Sequence, residues 1–153
     1  MKKIVSVLLA VMLLVTAFCS CGKSETAVDP AALANDVLQN CRFTDSLNPV
    51  DGKVAVMIHE VDEADVADVL YYGGTGATAD EITVFTAVDE SAAGRILAQA
   101  QSYVAKRIES FKNYGPEGAL MLENAIVRQS GKYVVIVVCG DGNAPKIVDK
   151  YIK

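Results

Sequence analysis

The sequence predicts a two-layer α+β fold: an antiparallel sheet of three or four strands, with a long amphipathic helix and shorter helices packed on one face. Three observations carry this reading. Ala93, Ile96, Leu97, Ala100, Tyr103, Val104, Ile108 and Phe111 recur at three- and four-residue steps, the apolar face of one long helix. Glu81 to Val88 sets Ile82, Val84 and Phe85 among Thr83 and Thr86, the pattern of a half-buried strand. Ala125 to Gln129 and Lys132 to Cys139 flank Ser130-Gly131, the signature of a hairpin.

The remaining elements follow in chain order. Asp29-Pro30 reads as an N-cap followed by proline at the first helical position, and Leu33, Val37 and Leu38 give that helix an apolar face up to Cys41. Arg42 to Lys53 contains Asn48-Pro49 and Asp51-Gly52 and reads as loop and turn. Val54 to Ile58 is a compact apolar run that suits either a buried strand or a short helix. Asp62 to Leu70 places Val66, Val69 and Leu70 on one helical face. Its acidic residues Asp62, Glu63 and Asp65 lie where they would favour a helix start. Tyr71 to Ala79, with Gly73, Gly74 and Gly76, reads as the most flexible connection. The long helix starts at Asp89 or Ser91. Tyr114-Gly115-Pro116 ends it and seeds a short helix through Leu122. Lys132 to Cys139 is apolar on both faces and therefore central, and Ala144 to Ile152 closes the chain as a helix.

Ahead of this domain stands a leader. Lys2 and Lys3 precede an apolar run from Ile4 to Phe18, shorter than the roughly 20 residues a membrane span requires. It ends at Phe18-Cys19-Ser20-Cys21, which resembles the lipobox of bacterial lipoproteins, with Phe where Leu is usual. Cys19 follows the bulky Phe18, whereas Cys21 follows two small residues, so Cys21 is the expected lipidation site and mature N-terminus. Two long acyl chains anchor stably, each buried methylene contributing about 0.8 kcal/mol. The expected organisation is a signal peptide over 1–20, the lipidated cysteine and a tether over 21–29, and one domain over 30–153. The expected location is the outer face of the bacterial cell membrane.

The chain carries 14 Lys and Arg against 19 Asp and Glu, a formal charge of −5. Loss of Lys2 and Lys3 with the leader leaves 12 against 19, or −7. Such a surface disfavours nucleic acid as a partner. Cys41 and Cys139 are the thiols left to the mature chain. They form a candidate disulfide outside the cell, or else serve as small buried apolar side chains.

Several segments resemble a known family. Thr78-Ala79-Asp80-Glu81-Ile82 leads into a strand, Arg107 faces Phe111 and Tyr114 on the long helix, and Asn124-Ala125-x-Val127 precedes Gly131-Lys132-Tyr133-Val134 and an apolar strand. From about Asp62 to the C-terminus these are similar to small lipoproteins of Gram-positive bacteria, catalogued as domain of unknown function 4358. The resemblance implies a membrane-anchored extracytoplasmic domain. It brings no catalytic residues and no established activity.

Candidate chemistry is sparse. His59 is the sole histidine. Beside Glu60 and Asp62 it could act as a base, but a transition-metal site draws three or four ligands and no Cys or His companion is near, so a surface or strand-edge position is expected. Asp62, Glu63, Asp65 and Asp68 lack the order of a calcium loop and read as a solvated helix start. Gly22-Lys23-Ser24 and Gly73-Gly74-Thr75-Gly76 both miss essential parts of a phosphate-binding loop. Arg107 borders the apolar stripe of the long helix, which points to a structural ion pair with Glu81 or Glu123. Tyr71, Tyr72, Gly73, Gly74 and Thr75 form a candidate interaction loop.

No metal, cofactor or catalytic set is expected. The sequence points to a non-enzymatic binding module for a protein or small-molecule ligand. The alternatives are a hydrolase using His59 with a carboxylate, or a structural subunit of an envelope complex.

Overall fold

A computed structural model describes residues 28–113 and 115–152. The leader, Cys21, the tether up to Ala27, Tyr114 and Lys153 lie outside the described residues. The elements in order are α1 (Pro30–Asn40), β1 (Asn48–Val50), α2 (Gly52–Ile58), a 3-10 turn (Glu63–Asp65), β2 (Val66–Gly73), β3 (Glu81–Ala87), α3 (Glu90–Lys112), α4 (Pro116–Glu123), β4 (Ile126–Ser130), β5 (Tyr133–Val138) and α5 (Ala144–Val148).

The strands form one open sheet in the order β1-β2-β3-β5-β4, and every neighbouring pair is antiparallel. The fold is α+β, with the long helix α3 and shorter helices packed on this sheet. Caps follow the local chemistry. Asp29 Oδ1 accepts from the N–H groups of Ala31 and Ala32 at 3.0 Å, and Asp89 Oδ1 accepts from that of Ala92 at 2.7 Å. Gly131, the first of the two residues joining β4 to β5, takes a positive φ of 53°, where glycine is favoured.

The sheet has one strand more than the sequence suggests, and helices cover both of its faces. Strand parity explains why. Glu81, Thr83, Phe85 and Ala87 on β3, with Val134, Ile136 and Val138 on β5, face the small-residue stripe Ala92, Ala93, Ile96 and Ala100 of α3. Ile82, Val84, Val135 and Val137 face the other way, onto Leu33, Ala34 and Val37 of α1 and Ala144, Ile147 and Val148 of α5. Central strands apolar on both faces need cover on both, and the two terminal helices supply the second layer.

The two strands that the sequence pattern hides, β1 and β2, sit on one side of the sheet. Asp62 to Leu70 is not a helix: Asp62 Oδ1 caps Ala64 at 3.0 Å, but the acidic helix-start chemistry is exhausted in a single 3-10 turn. Val66 pairs with Ala87, the register shifts at Ala67, and from Asp68 to Gly73 the strand pairs residue by residue with β3, so pairing overrides local helical spacing. That strand runs through Tyr71, Tyr72 and Gly73, which therefore lie in β2 and not in a loop. β1 pairs Asn48, Pro49 and Val50 with Gly73, Tyr72 and Tyr71. Pro49, which has no N–H to donate, is tolerated because β1 is an edge strand.

Val54 to Ile58 is helical within α2, capped by Asp51 Oδ1 on the Lys53 N–H at 2.8 Å. Gly52 lets this helix approach β2: a Cβ there would lie 2.6 Å from Val69 Cγ1. Among the described residues no helix is long and apolar enough to cross a membrane.

Candidate functional site

A carboxylate opens the apolar strand β3. Parity turns Glu81 toward α3, into the core, where it is 1% exposed. An ionised carboxylate there is tolerable only if paired and fully hydrogen-bonded, and three elements converge to do this. His59, just past the end of α2 and 0% exposed, places Nε2 2.8 Å from Glu81 Oε1, which also accepts from Thr83 Oγ1 at 2.8 Å. Oε2 accepts from the Tyr103 hydroxyl and from Arg107, each at 2.8 Å. The two oxygens thus receive four hydrogen bonds, about the capacity of a carboxylate.

His59 Nδ1 lies 2.7 Å from the Ala55 carbonyl oxygen, which can only accept. Nδ1 is therefore the donor of that bond. Around the imidazole stand the Tyr103 ring at 4.0 Å between centroids, the Phe85 ring edge-on at 5.3 Å and the Tyr71 ring edge-on at 6.0 Å. The Arg107 side chain is 20% exposed, with its guanidinium 5.4 Å from the Tyr103 ring centroid and 5.5 Å from that of Phe111.

Electrostatics follow this packing. Burial is the largest single influence on Glu81 and pushes its carboxyl up. The combined effect of His59, Arg107 and the Thr83 hydroxyl outweighs it and holds the group below the ordinary carboxylate range. Burial, reinforced by the Glu81 charge, pushes the Tyr71 and Tyr103 hydroxyls up. The network has no free acceptor on Glu81 and no solvent face on His59. What it does is tie α2, α3 and β3 together through one buried charge.

The sequence-predicted positions fall as follows. His59 is a core residue, not a surface or strand-edge one, and its carboxylate is Glu81; neighbouring Glu60 pairs with Lys106 instead. Arg107 pairs with Glu81. Tyr71 packs with the α3-facing cluster and Tyr72 with the opposite one. Gly74 and Thr75 are in the connection, where Asp45 Oδ2 accepts from the Thr75 N–H at 2.7 Å and from its hydroxyl at 2.6 Å.

The carboxylates of 62–68 are dispersed: Asp62 caps the 3-10 turn, Asp65 binds Arg95, and Asp68 accepts from the Val69 N–H. Among the described residues no group of three or more His, Cys, Asp or Glu could hold a metal ion. Cys41 and Cys139 are free thiols lying beside each other. Sequence reasoning missed Glu81 as a hub, together with Tyr103 and Thr83. The available signal was a lone carboxylate on the inward face of an otherwise apolar strand.

An open concavity lies elsewhere. A groove of about 850 Å³ runs between α2 and the start of β2. Val56, Met57, Val61, Val66 and Val69 supply its apolar lining, and Met57 is 69% exposed. Asp51, Glu63 and Asp68 stand at the groove with Lys53, together with Glu60, which is paired with Lys106.

Fold and core together define an antiparallel α+β domain centred on a buried, fully bonded ion-pair network. The chain belongs to the DUF4358 family, a domain of unknown function whose pattern matches residues 41–139. The match begins well before Asp62 and holds the whole sheet with α2, α3 and α4; α1 and α5, which cover the second face, lie outside it. No curated protein and no solved structure matches the chain.

Proposed function

We propose that this protein is an extracytoplasmic lipoprotein, anchored through Cys21, whose domain binds its ligand in the groove between α2 and β2 and does not transform it. The observation that carries the binding reading is the separation of the two features. The titratable groups with catalytic potential, His59 and Glu81, are spent on each other inside the core, while the open concavity lies along α2 and β2. Its size falls within the range of small-molecule sites. Its apolar lining and excess of carboxylates favour an amphipathic cation, an apolar body with a positive head. The anchor reading rests on the Phe18-Cys19-Ser20-Cys21 leader.

Octyltrimethylammonium is a suitable probe, followed by amide chemical shifts of the full chain. Saturable shifts at Gly52 to Met57 and Val66 to Val69 are expected, with weaker effects from tetramethylammonium and from octylsulfonate. Equal binding of octylsulfonate, or shifts centred on Tyr71 to Thr75, would overturn the assignment.

A further inference from the structure

Two cysteines far apart in the chain end side by side, and the sheet puts them there. Cys41 caps the C-terminus of α1, and Cys139 follows the last residue of β5. α1 packs on the face of β5 that carries Val135 and Val137, so both cysteines join that one apolar cluster. The two thiols are close enough to act on each other electrostatically. Their flanking backbone is tied independently: the Arg42 N–H donates to Asp141 Oδ2 at 3.1 Å, and the Cys139 thiol reaches the Asp141 carbonyl at 3.8 Å. Cys139 also lines a second cavity, of about 320 Å³, with Gly140 and Gly142, whereas Cys41 is buried.

We propose that Cys41 and Cys139 are a disulfide-forming pair that staples α1 to the end of β5, with Cys139 as the first sulfur to react and Cys41 as the resolving one. The oxidant is a disulfide, small or carried by a thiol oxidase. The Cys139 thiolate attacks one sulfur of that disulfide and expels one thiolate. The Cys41 thiolate then attacks the Cys139 sulfur of the mixed disulfide and expels the second. Two electrons pass to the oxidant, and the two protein protons end on the two released thiols.

Burial raises both thiols, Cys41 to about 12, so both are poor nucleophiles at neutral pH and exchange is slow. The bond is therefore a cross-link set once, not a rapidly cycling redox centre. Formation in cells rests on the extracytoplasmic reading, because the cytosol keeps thiols reduced.

The test uses the full chain carrying Cys19→Ser and Cys21→Ser, so that only this pair remains. Oxidised glutathione should remove two hydrogens in mass and leave no adduct. The melting temperature should rise by roughly 10 °C, reversibly with reductant, as expected for closing so long a loop. Cys41→Ser should instead hold one stable glutathione on Cys139. Stable adducts on both cysteines, two thiols unreacted after prolonged exposure, or a bond without thermal effect would each overturn the proposal. Alkylation of intact cells separates it from the address: a bond that forms in the purified chain but is missing from the cellular one leaves the pairing standing and overturns the extracytoplasmic reading.

Discussion

His59 and Glu81 are 22 positions apart in the chain and meet 2.8 Å apart, one 0% and the other 1% exposed. The contact joins the end of α2 to the start of β3, and through Arg107 and Tyr103 the same carboxylate also holds α3. A charge in such a place works as a constraint on geometry. It has a low-energy state only when all three elements are seated.

Glu81→Ala should therefore be among the most damaging single changes in the domain. It strands the Arg107 guanidinium, the His59 ring and two hydroxyls without their acceptor, for a loss of about 3–5 kcal/mol. Urea unfolding of the two proteins gives the comparison. A loss below about 1 kcal/mol would mean that water or a neighbour replaces the carboxylate and that the network is not a clamp.

Acid should loosen the fold in a defined direction. Burial opposes ionisation of Glu81, but its partners hold the folded-state carboxyl below its ordinary value of 4.5. A depressed carboxyl contributes stability that is fully present above the unfolded value and is lost as pH falls through the folded one. Asp65, lowered by its hydrogen bond to Arg95, has the same sign. The urea midpoint should hold as pH falls toward the ordinary carboxylate range and then drop below 4.5. Glu81→Gln should flatten that drop. An unchanged acid slope in this variant would show that Glu81 does not set it.

Membrane attachment is tested at one atom. Cys21→Ser replaces the sulfur that would carry the lipid, and cells fed labelled palmitate should then yield unlabelled protein while the wild type is labelled. Label retained in the variant would move the attachment elsewhere and remove the basis for an anchor at Cys21.

What could be read from the chain is what depends on near neighbours. The α3 stripe, the Asp29 and Asp89 caps and the β4–β5 turn are set by residues within a few positions of one another, where periodicity and capping act directly. Arg107 could be marked as a paired arginine because it borders an apolar stripe, with Glu81 as one of two candidate partners. β2 could not be read in this way. Asp62 to Leu70 satisfies helical spacing locally, and only pairing with β3 makes the extended form win. Pro49 and the turn residues around it likewise hide the edge strand β1, whose partner lies more than twenty residues ahead.

Local pattern thus sufficed for the antiparallel α+β class, for most element boundaries, and for the acidic character of the chain. Assembly added the second helical layer, the placement of His59 in the core and the meeting of Cys41 with Cys139. These depend on which sheet face each residue takes and which distant partner it meets there. Both are set by burying two apolar faces at once, a requirement of the whole fold that no short window of residues contains.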